Sequence, residues 1–225
     1  MRHVFIDFLP NGAFLRECVT IIRESVTIAV LRTVRPHVMT RPDKLPKILT
    51  DDEAERLLEQ PNQRYFSPHR DFLFMRLMLK SGLRASEAVS LKVEHVDLQS
   101  GRVNVRNGKG AKDRNLWIGE ELLDELREWM DRRPESEYLL PTSKGTKVDT
   151  SQLRRSVKRY ARDAEIAEVE RVSPHTLRHT FATRLYRETG NIRMVQKALG
   201  HSDLSTTMVY THVVDGELEG AMKDL

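Results

Sequence analysis

The chain holds a single cysteine, Cys18, in 225 residues. One thiol excludes an internal disulfide and any zinc site built on paired cysteines. A long apolar run is missing too. The stretch from Ala13 to Leu31 is broken by Arg16, Glu17, Arg23 and Glu24, charges that neither a signal-peptide core nor a membrane span tolerates. No repeat or low-complexity tract stands out. Neither sign of charge dominates: 37 Lys and Arg face 33 Asp and Glu, for a net +4. That excess permits a polyanionic partner without requiring one, so where the basic residues sit matters more than their sum. What is present is ordinary for a globular protein, 39% hydrophobic and 31% charged. The length supports one good-sized core, or a core with a small appendage.

Residues 1–44 and the remainder differ in texture. The first part is rich in β-branched residues, lacks clean periodicity and ends in Arg35-Pro36 and Arg41-Pro42-Asp43-Lys44, which suggests a short N-terminal segment and linker. From Thr50 the signals become regular. Thr50 can cap a helix opened by Asp51, Asp52 and Glu53. Ser67-Pro68 opens another, so apolar from Phe72 to Leu79 that deep burial is expected, and Gly82 closes it. A short helix around 86–91 follows. Alternation over Val93–Leu98, Arg102–Arg106 and Asn115–Ile118 predicts three antiparallel strands. Helices resume at about 120–132, 150–164, 174–188 and 191–199, with Ser173-Pro174 and Asn191 as starts and Gly200 as the last stop. The expected fold is mainly α with a small three-stranded antiparallel sheet. Beyond Asp215, Leu218, Ala221, Met222 and Leu225 make one apolar helical stripe, expected to dock on a surface.

Four short stretches could carry chemistry, and each has a plainer explanation. In Ser81-Gly82-Leu83-Arg84-Ala85-Ser86-Glu87, Arg84 and Glu87 could be an ordinary surface pair. The tip Gly108-Lys109-Gly110-Ala111-Lys112-Asp113-Arg114 lets backbone and lysine approach a phosphate, yet equally suits a solvated turn, and it lacks the spacing of a Walker loop. His175 and Arg178 share a face near the positive end of a helix, which suits an anion. His175 and His179 also have the spacing of a zinc pair, but no metalloprotease glutamate follows and Arg178 between them repels a cation. His179 is instead expected as a hydrogen-bonded partner within the core. Finally, His201 on a post-helix turn precedes Tyr210, in a chain whose other tyrosines suit half-buried packing.

Together these stretches resemble one family. "SGLRASEAVSL", "GKGAKDR", "PHTLRHTFAT" and "LGHSDLSTTMVYTHV" match, in order and spacing, the catalytic domain of the tyrosine recombinases, or phage integrases, and the Xer-type members above all. The resemblance runs from Leu45 to the C-terminus. It implies the tyrosine recombinase catalytic-domain fold over residues 45–225, with Arg84, Lys109, His175, Arg178, His201 and Tyr210 as the catalytic set. Glu87 would support it, and Lys112 and Arg114 would contact DNA. Family members generally carry a helical core-binding domain ahead of the catalytic one; residues 1–44 lack its amphipathic pattern. Further implications are double-stranded DNA as partner, a tetramer on DNA, no cofactor, metal or small-molecule substrate, and a cytoplasmic, nucleoid-associated location.

Breaking a phosphodiester without a metal requires other cations around the pentavalent phosphorus, and arginines grip its non-bridging oxygens bidentately. Arg84 and Arg178 fit that clamp, with His175 and His201 donating to the same oxygens. Tyr210 is the expected nucleophile, its proton passing to His175, and Lys109 the acid that protonates the leaving 5′ oxygen. Two rivals share the residue set: type IB topoisomerases, which the wording around Tyr210 disfavours, and an idle DNA-binding regulator, which the intact hexad disfavours.

Overall fold

The computed structural model describes residues 45–106, 113–201 and 203–223, with backbone alone at 215–221 and 223. The expectations for segment 1–44, for Lys109 and for Lys112 lie outside the described residues.

Helix α1 (Asp51–Glu59) starts where its cap requires. The Thr50 hydroxyl accepts from the Glu53 amide at 3.1 Å, and the Glu53 carboxylate accepts from the Thr50 amide at 3.0 Å. Helix α2 (Phe66–Ser81) is central. Leu73, Phe74, Met75, Leu77 and Met78 are all fully buried, so apolar residues face every direction and the helix is wrapped by the others. It stops at Gly82, whose φ of +64° is left-handed. A side chain there would also strike the Phe181 ring, at 2.2 Å. Phe181 belongs to α6 (Pro174–Thr189), which packs along α2. Between them come α3 (Ala85–Ser90), the strands β1 (Arg102–Val105) and β2 (Arg114–Trp117), α4 (Glu120–Arg132) and α5 (Thr150–Asp163). After α6 follow α7 (Ile192–Leu199), capped by the Asn191 side chain, and α8 (Ser205–Lys223).

Among the described residues the sheet has two strands, β1 and β2, antiparallel with Val103 opposite Leu116 and Val105 opposite Arg114. The third strand expected over Val93–Leu98 does not form. Val93–His95 is a 3₁₀ turn, and Val96 makes a single bridge to Val103. Local side chains explain the difference. The Lys92 amide donates to the His95 ring, and the Asp97 carboxylate accepts from the Gln99 amide and the Ser100 hydroxyl. These bonds curl a stretch that β-branched alternation alone would extend. The expected tail helix is not separate either, because α8 runs without a break from Ser205 past Tyr210 to Lys223. Of its stripe, Met222 is described and is exposed.

Buried apolar side chains fall into two clusters. The larger runs from Leu49 to Leu177 and joins α1–α6 with the sheet. The smaller contains Ala182, Val195, Leu199 and Tyr210, flanked by Phe181, Leu185, Tyr186, Ile192 and Val209, and joins α6, α7 and α8. No helix among the described residues is long and apolar enough to cross a membrane.

Candidate active site

Arg178 lies on the second turn of α6 and is 4% exposed. It can be buried because two helices end on it: its guanidinium donates to the carbonyls of Gly82, closing α2, and of Leu199, closing α7 at 2.7 Å. The negative ends of two helix dipoles thus face one cation. Burial first, and the neighbouring Arg84 next, pull its pKa down to about 10, which leaves it cationic at neutral pH. Arg84 sits at the N-cap of α3, extended, with its side chain partly open to solvent. Both its backbone amide and its guanidinium donate to Glu87, at 2.7 and 2.9 Å.

Arg178 also reaches His201, Nη2 to Nε2 at 3.1 Å. A guanidinium only donates, so Nε2 must accept and the neutral ring carries its proton on Nδ1. That nitrogen faces the buried Thr207 hydroxyl at 3.0 Å. Burial, then Arg178 and Arg84, hold the His201 pKa down at about 4. The donor expected to serve a phosphate is therefore engaged within the protein at rest. His175, on the first turn of α6, is exposed; partial desolvation, then Arg178, Arg154 and Arg84, lower its pKa from the ordinary value.

Tyr210 is 1% exposed, its ring in the smaller cluster and its hydroxyl 3.0 Å from His179 Nδ1. Burial, partly offset by Arg178, pushes the phenol up to about 12, and burial, with His175 and Arg178, pulls His179 down to about 4. Both partners are neutral. The hydrogen-bonded core histidine anticipated at 179 is thus the partner of the anticipated nucleophile. His175, expected to take the tyrosine's proton, makes no such contact. Among the described residues, no three His, Cys, Asp or Glu side chains gather as a metal site.

Arg114, expected to contact DNA, is 8% exposed and turned inward, donating from Nε to the Ala198 carbonyl at 2.8 Å and from Nη1 and Nη2 to the two Glu87 oxygens at 2.9 and 2.7 Å. The signal was available in the alternation of β2. Arg114 and Leu116 share the buried face, and Asn115 and Trp117 the exposed one. Burial works to raise the Glu87 pKa, but hydrogen bonds from Arg114 and Arg84 overcome it and hold the carboxyl at about 2.

The phage integrase family model matches residues 47–217. The chain belongs to the phage integrase family. Within it, the tyrosine recombinase XerA of Thermococcus kodakarensis is 43% identical over 188 residues, 81% of this chain and 64% of that protein. The crystal structure of XerA recombinase superposes with a TM-score of 0.70 at 36% identity, covering 81% of this chain and 66% of that one. XerH site-specific recombinase bound to palindromic difH substrate, in a post-cleavage complex, gives a TM-score of 0.70 at 28% identity, covering 88% of this chain and 58% of that one. The integrase-family chain described here therefore spans less than two thirds of each of these relatives. Its fold is that of a Xer-like tyrosine recombinase catalytic domain.

Proposed function

We propose that this chain is a site-specific DNA recombinase that cuts and rejoins strands through a 3′-phosphotyrosine at Tyr210, with no metal or nucleotide cofactor. Arg178 bonds His201 at 3.1 Å and lies 3.9 Å from the Glu87 carboxylate that Arg84 also bonds, groups from separate stretches of sequence, and that meeting carries the proposal. Arg84 and Arg178 grip the non-bridging oxygens of the scissile phosphate, and His175 and His201 donate to them. The Tyr210 oxygen attacks phosphorus and the bond to the 5′ oxygen breaks. The phenol proton leaves towards the histidines of α6, and Lys109 protonates the departing oxygen. The new ester conserves the energy of the old one, so a 5′ hydroxyl from a partner strand can reverse the step on a new strand.

A buried hydroxyl cannot reach a phosphate, so α8 must shift when DNA binds. Four protomers on DNA, exchanging strands in pairs, would supply the surfaces that move it. The location that fits is the cytoplasm, on the nucleoid.

The test is a nicked suicide duplex, built first on a palindromic dif-like site because XerH acts on one. An adduct that survives denaturant and resists EDTA is expected. No adduct across a panel of such sites would sink the proposal, and relaxation of supercoiled plasmid by the protein alone would point to a swivelling topoisomerase instead.

A further inference from the structure

We infer that Arg114 is a positioning residue for the phosphate clamp: it occupies the Glu87 carboxylate, so that Arg84 and Arg178 keep their charge for DNA. The inference rests on the function proposed above. Glu87 is almost buried, and its two oxygens offer about four acceptor positions. The Arg84 guanidinium and Arg114 Nη1 take one oxygen, both at 2.9 Å. The Arg84 amide and Arg114 Nη2 take the other, both at 2.7 Å. Arg178 stands off at 3.9 Å. The carboxylate is satisfied without Arg178, and Arg84 gives it one edge only.

Remove Arg114 and the balance changes. One buried negative charge then faces Arg84 and Arg178 alone, and each is drawn onto it. Among the described residues, three cations against one anion leave a local surplus of two charges; without Arg114 the surplus is one. The clamp loses half the positive charge that polarises a bound phosphate.

A second observation marks the contact as built. The Arg114 stem lies over Gly200, where a side chain would come within 3.1 Å of its Cδ and Nη1. Gly200 also has a φ of +65°, a backbone conformation that favours glycine, and a Cβ there would press on Arg114. Through the Ala198 carbonyl at 2.8 Å, the same guanidinium ties the last turn of α7, and so the turn bearing His201, to Glu87 on α3. A bidentate fork with a third donor along its edge can do this; an ammonium cannot.

The experiment is single-turnover cleavage of the nicked suicide duplex by the full chain, with DNA affinity measured against salt. Arg114→Met is expected to lose roughly 10²-fold in cleavage, the scale of a lost oxyanion donor, and Arg114→Lys a smaller part of it. DNA affinity and its salt slope should stay near wild type. Among the described residues the groups facing Glu87 are Arg84, Arg114 and Arg178, so removing Arg114 lets its carboxyl titrate higher. The variant's cleavage should therefore depart from the wild type's on the acid side. Adding Glu87→Gln to Arg114→Met should recover part of the loss, because the stranded charge is gone. Arg114→Lys at wild-type rate, or double-variant losses that multiply, would overturn the inference. So would a salt slope reduced by about one, the mark of a direct phosphate contact. If Arg114→Met fails to fold, Arg114→Lys carries the test. A wild-type protein that forms no adduct strikes the proposed function, whereas an adduct with an indifferent Arg114 strikes only this inference.

Discussion

The two arginines of the proposed clamp and the tyrosine proposed to attack are held by different parts of the molecule. Arg84 and Glu87 are set on α3, whose Ala88 and Val89 enter the larger cluster, and Arg178 follows Leu177 of the same cluster. Tyr210 lies in the smaller cluster, where four buried side chains, its own included, join α6 to α7 and α8 among the described residues. At about 1.5–3 kcal/mol for each large apolar side chain buried, the larger cluster anchors its helices far more firmly. The charge proposed to hold a phosphate is therefore built into the larger cluster, and the proposed nucleophile into the smaller one. Arg178 bridges the two, since it bonds the carbonyls ending both α2 and α7.

The largest break in this comparison is Tyr210→Phe. It should abolish the covalent adduct while DNA affinity holds, and the lost bond to His179 should lower stability by about 1 kcal/mol. An adduct from the Phe variant would remove Tyr210 as nucleophile. Next is Arg178→Lys, expected to slow cleavage by roughly 10²-fold. Because a lysine cannot reach both helix ends with the same fork, hydrogen exchange should also accelerate in α7. Unchanged exchange there would mean the bridge is not structural.

Leu199→Ala sharpens the contrast between the clusters. A buried leucine lost to a cavity costs about 2–5 kcal/mol, here from the small cluster. Amides of α7 and α8 should exchange faster while those of α2 stay protected. Uniform acceleration would show that the two clusters unfold as one unit.

A further expectation concerns pH. His179 and His201 titrate at about 4 in the fold against an ordinary 6.5. Their folded pKa values are depressed, so the unfolded chain takes up protons first as pH falls. Stability is then full above about 6.5 and declines towards about 4. Denaturant melts at several pH values should record this decline, and His179→Gln should flatten part of it. A decline of the same size in that variant would assign it to other groups.

Much of this was legible in sequence because its signals are local. Thr50, Asn191, Gly82 and Gly200 announce helix ends through bonds and angles within a few residues. The spaced motifs announced Arg84, Glu87, Arg178, His201 and Tyr210 as one neighbourhood. What misled was competition between equally local signals. Val93–Leu98 has the alternation of a strand, but His95 and Asp97 close their own turns. Arg114 reads as a solvent charge beside a glycine-rich tip, and its partner Glu87 lies 27 residues earlier. The bond between His179 and Tyr210 spans 31 residues, beyond the reach of any periodicity.

The unbroken course of α8 has a mechanical consequence. Tyr210 is five residues from the start of the helix at Ser205, and Lys223 is eighteen. At 1.5 Å per residue, that is roughly 8 Å against 27 Å from a pivot at the helix start. A swing about that pivot is geared down between three- and fourfold on its way to the tyrosine, by about the ratio of those two lengths. A coarse pull on the far end, such as a neighbouring molecule could exert, would arrive at the phenol as a fine adjustment.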